Sequence, residues 1–373
     1  MGLFSRGGIH TNNSISVTEK YLNALGLKPD KDPFPKEPPD IVDYWADNRE
    51  VYDKIMEIKG SLSLFISTRF YIFWGPVGIG KTFAARYFEN IMKDSKFIYV
   101  KSVIPFKTGQ LVKTLYKNIV QECFNEILTD REILLSMESY IEDLNPGKIK
   151  NAFLDINKKV YLDVEGKSVS RKVIENSEGF KLLTYQKSKL GVIEDINEMV
   201  ETIKFLFDLI KIKYERIMLF IDELENLGRS SAIEKLLVSD LLRKIHGEIN
   251  TNLAVFLIFT YESFQEIEKD LQRALLERID DIIEFKYITN KRDIIEYITD
   301  CIRERGGVNP DEIIDKKVIE EIANELAKKK DITFRTINWE MHNIFRRLYI
   351  ISGEKPFKIT YELWERYKKQ KIS

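Results

Sequence analysis

Gly75, Gly78, Gly80, Lys81 and Thr82 stand in one run, Gly75-Pro76-Val77-Gly78-Ile79-Gly80-Lys81-Thr82, and that spacing is suited to holding a chain of phosphates. Glycines let the backbone turn successive N–H groups toward one anion, and a helix starting behind them adds the positive end of its dipole. A lysine closing such a loop reaches the β and γ phosphates, and the hydroxyl of Thr82 is an oxygen donor for magnesium. A second chemical pair, Asp222 and Glu223, ends the apolar run Ile217-Met-Leu-Phe-Ile221. Asp222 is placed to hold the magnesium ion, directly or through water, and Glu223 to orient or deprotonate an attacking water. Glu225 is the nearby competitor for that basic role, and position favours Glu223. A third apolar run, Leu253 to Phe259, ends in Thr260, where a polar side chain would face the γ-phosphate between the first two motifs; a simple strand-end cap is the alternative.

These residues need strands to aim them. Phe70 to Trp74 reads as a short buried strand before the glycine loop, and Thr82 to Lys93 as the helix after it, which is the full context of a P-loop. Lys96 to Val103 reads as a second strand. The uninterrupted apolar runs before Asp222 and Thr260 read as strands buried on both faces, the pattern of a parallel sheet. Asp-Glu after a strand is also a common helix-start signal, but the P-loop upstream favours the Walker B reading. The expected fold class is therefore α/β: a P-loop NTPase core with a parallel sheet flanked by helices.

The chain around this core divides by pattern. Residues 1–42 read as an N-terminal arm and a proline-rich strap, since the prolines between Gly26 and Pro39 forbid regular structure and leave a segment that lies across a surface. Residues 43–288 are the expected ATPase core. Within them an insertion, about 106–212, reads as several amphipathic helices with a short β-type segment, Lys159 to Val173, turning at Glu165-Gly166. A helix is expected from Tyr261 to Glu277 and a last strand at Ile282 to Phe285. Residues 289–351 carry helical patterns only and form the expected all-α lid. Residues 352–373 form a tail in which Trp364, Arg366, Tyr367, Lys368, Lys369 and Lys371 alternate aromatics with cations.

Composition narrows the class. Hydrophobic residues make up 44% and charged residues 31% of 373, with 58 basic against 59 acidic side chains, so any polyanion must meet a local patch rather than a global field. The two cysteines, Cys123 and Cys301, fall in helical patterns and give neither a disulfide frame nor a zinc site. No apolar run approaches membrane-spanning length, and position six is Arg6 where a myristoylation signal wants Ser or Thr. The expectation is a cytoplasmic protein without a membrane partner. Abundant Lys, Glu and Ile would suit a thermophile, as would a biased genome.

Taken together, the P-loop GPVGIGKT, the segment IMLFIDE, the strand FLIFT, the segment ALLERIDDIIEF and the lid sequence DITFRTIN resemble the AAA+ family of ATPases across roughly residues 40 to 350. The resemblance implies ATP and magnesium as ligands and an ATPase activity working at a subunit interface of a homo-oligomer. It also implies that Arg278 is an arginine finger reaching a neighbour's nucleotide, with Arg273 as the second choice, and that Arg335 is the lid's sensor arginine. Both would stabilise charge on the γ-phosphate through a planar fork of donors. The transition IIEFKYITNKRDIIEYITDCIRERG looks like that of replication initiators of the origin-recognition type. The strap LGLKPDKDPFPKEPPD is similar to the lead-in of transposition-regulator and secretion-type ATPases. After Ile351 the chain is too short for the winged-helix domain that origin-recognition proteins carry, which counts against direct replication initiation.

The expected function is a nucleotide-driven oligomeric switch acting on DNA or a DNA-bound partner. Lys328-Lys-Lys330, Arg346-Arg347 and the tail are the candidate phosphate contacts, against the ordinary reading of solvated helix faces. The other expectation is a signalling or defence ATPase that recruits a protein partner through the insertion.

Overall fold

The structure, a computed structural model, describes residues 17–28, 31–35, 42–45, 49–64, 66–102, 111–164, 171–249 and 252–372. The arm up to residue 16, parts of the strap and the Glu165-Gly166 turn lie outside them. The described chain forms two compact units, one built on Arg49–Lys286 and one on Tyr287–Ser373 together with the N-terminal segments.

The first unit is a five-stranded parallel sheet in the order β2-β3-β4-β1-β5, with β1 Arg69–Trp74, β2 Ser95–Lys101, β3 Arg216–Asp222, β4 Leu253–Phe259 and β5 Asp281–Glu284. Every residue of β3 and β4 is buried, as their uninterrupted apolar sequence requires of strands covered on both faces. The two faces differ in kind. One is aromatic: Phe220 stacks on Phe256 at 4.3 Å, Tyr71 and Phe73 contact the same ring, and Phe88 of the P-loop helix (Lys81–Ile91) completes the layer. The other is aliphatic, with Ile72, Val100, Leu219, Ile221, Val255 and Leu257 in one cluster with the helices that cover them.

Those covering helices come largely from the expected insertion. Leu111–Ile127 and Ile196–Ile210 bury broad apolar faces in the sheet's own core, beside Ala232–Glu248. Arg131–Glu142, Lys148–Val164, Arg171–Glu175 and Glu178–Leu183 then pack outward from them through pairs such as Phe153–Phe205 at 4.0 Å and Phe124–Phe180 at 5.0 Å. Asp130, Ser177 and Asp195 cap three of these helices through their side chains. The β-type segment expected at 159–173 is instead helical on both sides of the turn. Ala152, Phe153, Ile156 and Val160 are buried at helical spacing, so the apolar stripe begins before the alternation that suggested a strand. The helix expected from Tyr261 to Glu277 is two short ones, Phe264–Asp270 and Arg273–Leu276, parted at Leu271, which is extended.

The second unit is helical: Lys291–Asp300, a π turn Cys301–Arg305, Pro310–Ile313, Lys316–Leu326, Phe334–Ile351 and Tyr361–Ile372. The N-terminal helix Val17–Ala24 and the described part of the strap belong to its core. Tyr21 hydrogen-bonds His342 Nδ1 at 2.7 Å, Phe34 meets Phe345 edge-on at 5.6 Å, and Asn338 donates to the Pro35 carbonyl at 2.9 Å. The tail also differs from its expected role. Trp364 is 1% and Tyr367 6% exposed, so the aromatics that would have stacked on bases are packed in the core of this unit.

Candidate nucleotide site

In a parallel sheet all strand ends point one way, so loops after the C-terminal ends share one edge. The register makes this concrete. Trp74 lies level with Phe259, and Ile221 with Leu257, so Gly75, Thr260 and Glu223 leave the sheet at nearly the same height. Strand β4, with Thr260 at its end, lies between the P-loop strand and the Asp222 strand.

The loop has the backbone the sequence predicts. Gly75, Gly78 and Gly80 have φ of 144°, 78° and 98°, in the left-handed range that side chains avoid. A Cβ at Gly75 would also collide with the carbonyl oxygen of Phe285, just past β5, so glycine there is a packing requirement as well. Pro76 and Ile79 are buried and Val77 is exposed, which leaves the loop anchored at two points. Lys81 begins its helix buried, with Nζ donating to the carbonyls of Gly75 and Pro76 at 2.7 Å each. The ammonium thus lies inside the loop whose N–H groups would take a phosphate.

On the neighbouring strand the Asp222 carboxylate is fully engaged. Its Oδ1 accepts the Glu223 N–H at 2.8 Å and its Oδ2 accepts the phenol of Tyr99 on β2. Burial first, and the Asp222 charge second, hold the Tyr99 hydroxyl far above its ordinary range, so it remains a neutral donor. The donors that Thr82 and Asp222 offer are hard oxygens, the type that suits magnesium. Among the described residues no group of three or more His, Cys, Asp or Glu could hold a metal by itself.

Glu223 has φ 62°, left-handed for a residue with a side chain, and its carboxylate pairs with Lys101 of β2 at 3.1 Å. Glu225 sits differently. Its Oε2 accepts the Thr260 N–H at 3.2 Å, so Thr260 is tied to the 3-10 turn Leu224–Arg229 through its backbone. Burial raises the Glu225 pKa, the Asp222 charge adds to the rise, and Lys81 opposes it. Electrostatically, then, Glu225 lies within reach of both Asp222 and Lys81. The turn is held from behind: Tyr261 donates to the Glu225 carbonyl at 3.1 Å and hydrogen-bonds Asp270, which pairs with Lys235 at 2.6 Å.

Arg278 is half-buried and donates from Nη1 to the Arg243 carbonyl at 3.1 Å, near the C-terminal end of Ala232–Glu248. Arg273, the second choice, is 91% exposed and paired with Glu277 at 2.9 Å. Arg335 is exposed in the first turn of Phe334–Ile351, where the helix dipole disfavours a cation. It belongs to the other unit. Tyr99 and Lys101 were not singled out from sequence. Their signal was the alternation of Phe97, Tyr99 and Lys101 on one face of β2, legible only once the β2–β3 register is known.

Residues 165–287 match the model of the family described as "ATPase family associated with various cellular activities (AAA)". The matched segment contains Asp222, Glu223, Thr260 and Arg278, and the P-loop stands before it. No curated protein matches the chain significantly. Solved structures similar to it include the Aeropyrum pernix ORC2 protein in its ADPNP-ADP complexes, at 13% identity and TM-score 0.49, covering 88% of this chain and 69% of that one. The Aeropyrum pernix ORC1 protein in complex with DNA follows at 12% identity and TM-score 0.48, covering 90% and 68%. The Thermotoga maritima RuvB Holliday junction branch migration motor matches at 12% identity and TM-score 0.42, covering 88% and 71%.

Proposed function

We propose that this chain, which carries an AAA-family domain of P-loop ATPase type, binds ATP on the Gly75–Thr82 loop and hydrolyses it to switch an oligomeric assembly that acts on DNA or a DNA-bound partner. The observation that carries the ATPase reading is the convergence of the P-loop, Thr260 and the Asp222-Glu223 pair on one sheet edge. Magnesium, when bound, neutralises charge on the β and γ phosphates. Thr82 and Asp222 would hold it. Lys81 would leave the Gly75 and Pro76 carbonyls for the phosphates, and Glu223 would take the proton of the attacking water after parting from Lys101. Arg278 of a neighbouring copy, freed from the Arg243 carbonyl, would stabilise the transferring phosphoryl, with Arg335 acting from the lid.

The DNA part of the proposal rests on the exposed cations Lys328, Lys330, Arg346 and Arg347 of the helical unit. The experiment that tests the site is Lys81→Ala, read by equilibrium binding of a fluorescent ATP analogue. Binding is expected to disappear while thermal unfolding without nucleotide stays at the parental temperature. Parental affinity in the variant would overturn the placement of ATP on this loop.

A further inference from the structure

Strand β2 supplies a residue whose chemistry the nucleotide site needs and which the motifs do not contain. In the β2–β3 register Tyr99 is level with Phe220 and Lys101 with Asp222. Alternation puts Phe97, Tyr99 and Lys101 on the face that also bears Phe220 and Asp222, and the stacking of Phe97 on Phe220 at 4.8 Å fixes that face. Tyr99 therefore starts one side-chain level below Asp222, and its length brings the phenol up beside the carboxylate.

Tyr99 gives its hydrogen to Asp222 Oδ2, while Oδ1 is held by the Glu223 N–H at 2.8 Å. The phenol thus fixes the rotamer of the carboxylate from the side opposite the backbone. The Arg86 guanidinium, 5.6 Å above the ring, and the β2 backbone hold the phenol in place.

We propose that Tyr99 is a positioning residue for the divalent cation, holding the Asp222 carboxylate in the orientation that offers an oxygen to the ion. The proposal rests on the reading of Asp222, with Thr82, as a cation-holding residue. Magnesium tolerates little departure from octahedral geometry, so a misaligned donor loses affinity steeply. Partners one shell out from a metal typically contribute 10–100-fold in affinity.

The test is Tyr99→Phe in the full chain, which keeps the ring and removes only the hydroxyl. A non-hydrolysable ATP analogue is titrated with and without magnesium, by fluorescence competition. Affinity without magnesium should equal the parent's, and the enhancement that magnesium gives should fall about tenfold or more. In an Asp222→Asn background the same substitution should have little further effect, because the phenol acts through that carboxylate. Full magnesium enhancement in Tyr99→Phe, or equal loss with and without magnesium, would overturn the positioning role. Additive losses in the double variant would do the same. A parent chain whose affinity is indifferent to magnesium would instead overturn the underlying reading of Thr82 and Asp222.

Discussion

The two acidic residues after β3 show how far residue identity alone reaches. Asp222 followed by Glu223 at the end of a buried run was legible, and so was Glu225 as a rival, because all three sit within four positions of one strand end. Which carboxylate meets water depends on backbone conformation, which the residue types do not carry. Glu223 is left-handed at φ 62° and paired to Lys101 at 3.1 Å, a conformation of the kind that costs on the order of 1 kcal/mol and is kept where function needs it. Glu225 is buried enough to have its pKa raised, and it touches the Thr260 backbone rather than an outside cation. We expect Glu223→Gln to lower the rate of hydrolysis by roughly 100-fold or more, as loss of a general base does, with nucleotide affinity retained. Glu225→Gln should cost less, and it should act through Thr260. Steady-state rates and nucleotide Kd for the two variants decide the matter: the larger loss in Glu225→Gln would move the base to that residue.

At the scale of elements, the strands were readable because doubly buried β3 and β4 are written as unbroken apolar runs. The span 159–173 misled because its Val and Leu alternate locally, while the helical stripe that governs it starts earlier, at Ala152 and Phe153. The C-terminal helix Tyr361–Ile372 misled for another reason: its cations and aromatics look like a surface, and their partners lie forty residues or more away. Glu321 accepts from the Tyr361 hydroxyl at 2.9 Å, Trp364 Nε1 at 2.8 Å and Lys368 Nζ at 2.7 Å. The Lys368 ammonium above all, and then the two neutral donors, hold its carboxyl down at about 2 against an ordinary 4.5. A depressed carboxylate stabilises the fold fully above its ordinary value and loses that contribution as pH falls through the folded one. Thermal stability of the helical unit should therefore drop between about pH 4.5 and pH 2, a window those two values define. Glu321→Ala should remove about 2 kcal/mol at neutral pH, the scale of hydrogen bonds to a charged group, and flatten that pH dependence. Circular dichroism melts across the acid range measure both, and an unchanged slope in the variant would show that other carboxylates control the transition.

For the whole molecule, a formal net charge of −1 leaves any contact with DNA to local patches. The tail supplies less of one than its sequence suggests, since Lys368 is committed to Glu321 and Glu365 and its aromatic neighbours are buried, which leaves Arg366 and Lys369 among its exposed cations. Arg346 and Arg347 remain exposed on Phe334–Ile351, the helix that also carries Arg335, and under the proposed function a phosphate bound at either end would bias that same helix. This coupling makes a prediction that simple adhesion to DNA does not. Duplex DNA should stimulate hydrolysis, and stimulation should fade with salt as counterions compete. Replacing Arg346 and Arg347 by alanine should abolish the stimulation, leave basal hydrolysis and nucleotide affinity intact, and reduce the log–log salt slope of DNA binding by about one for each arginine. Light scattering with ATP should report an assembly in both proteins, because neither arginine is invoked at the subunit contact. Arg278→Ala should instead lose hydrolysis in the assembled state without losing ATP affinity. An ATPase that ignores duplex DNA and stays monomeric with ATP would leave the nucleotide site standing and overturn the oligomeric, DNA-directed reading of what that site drives.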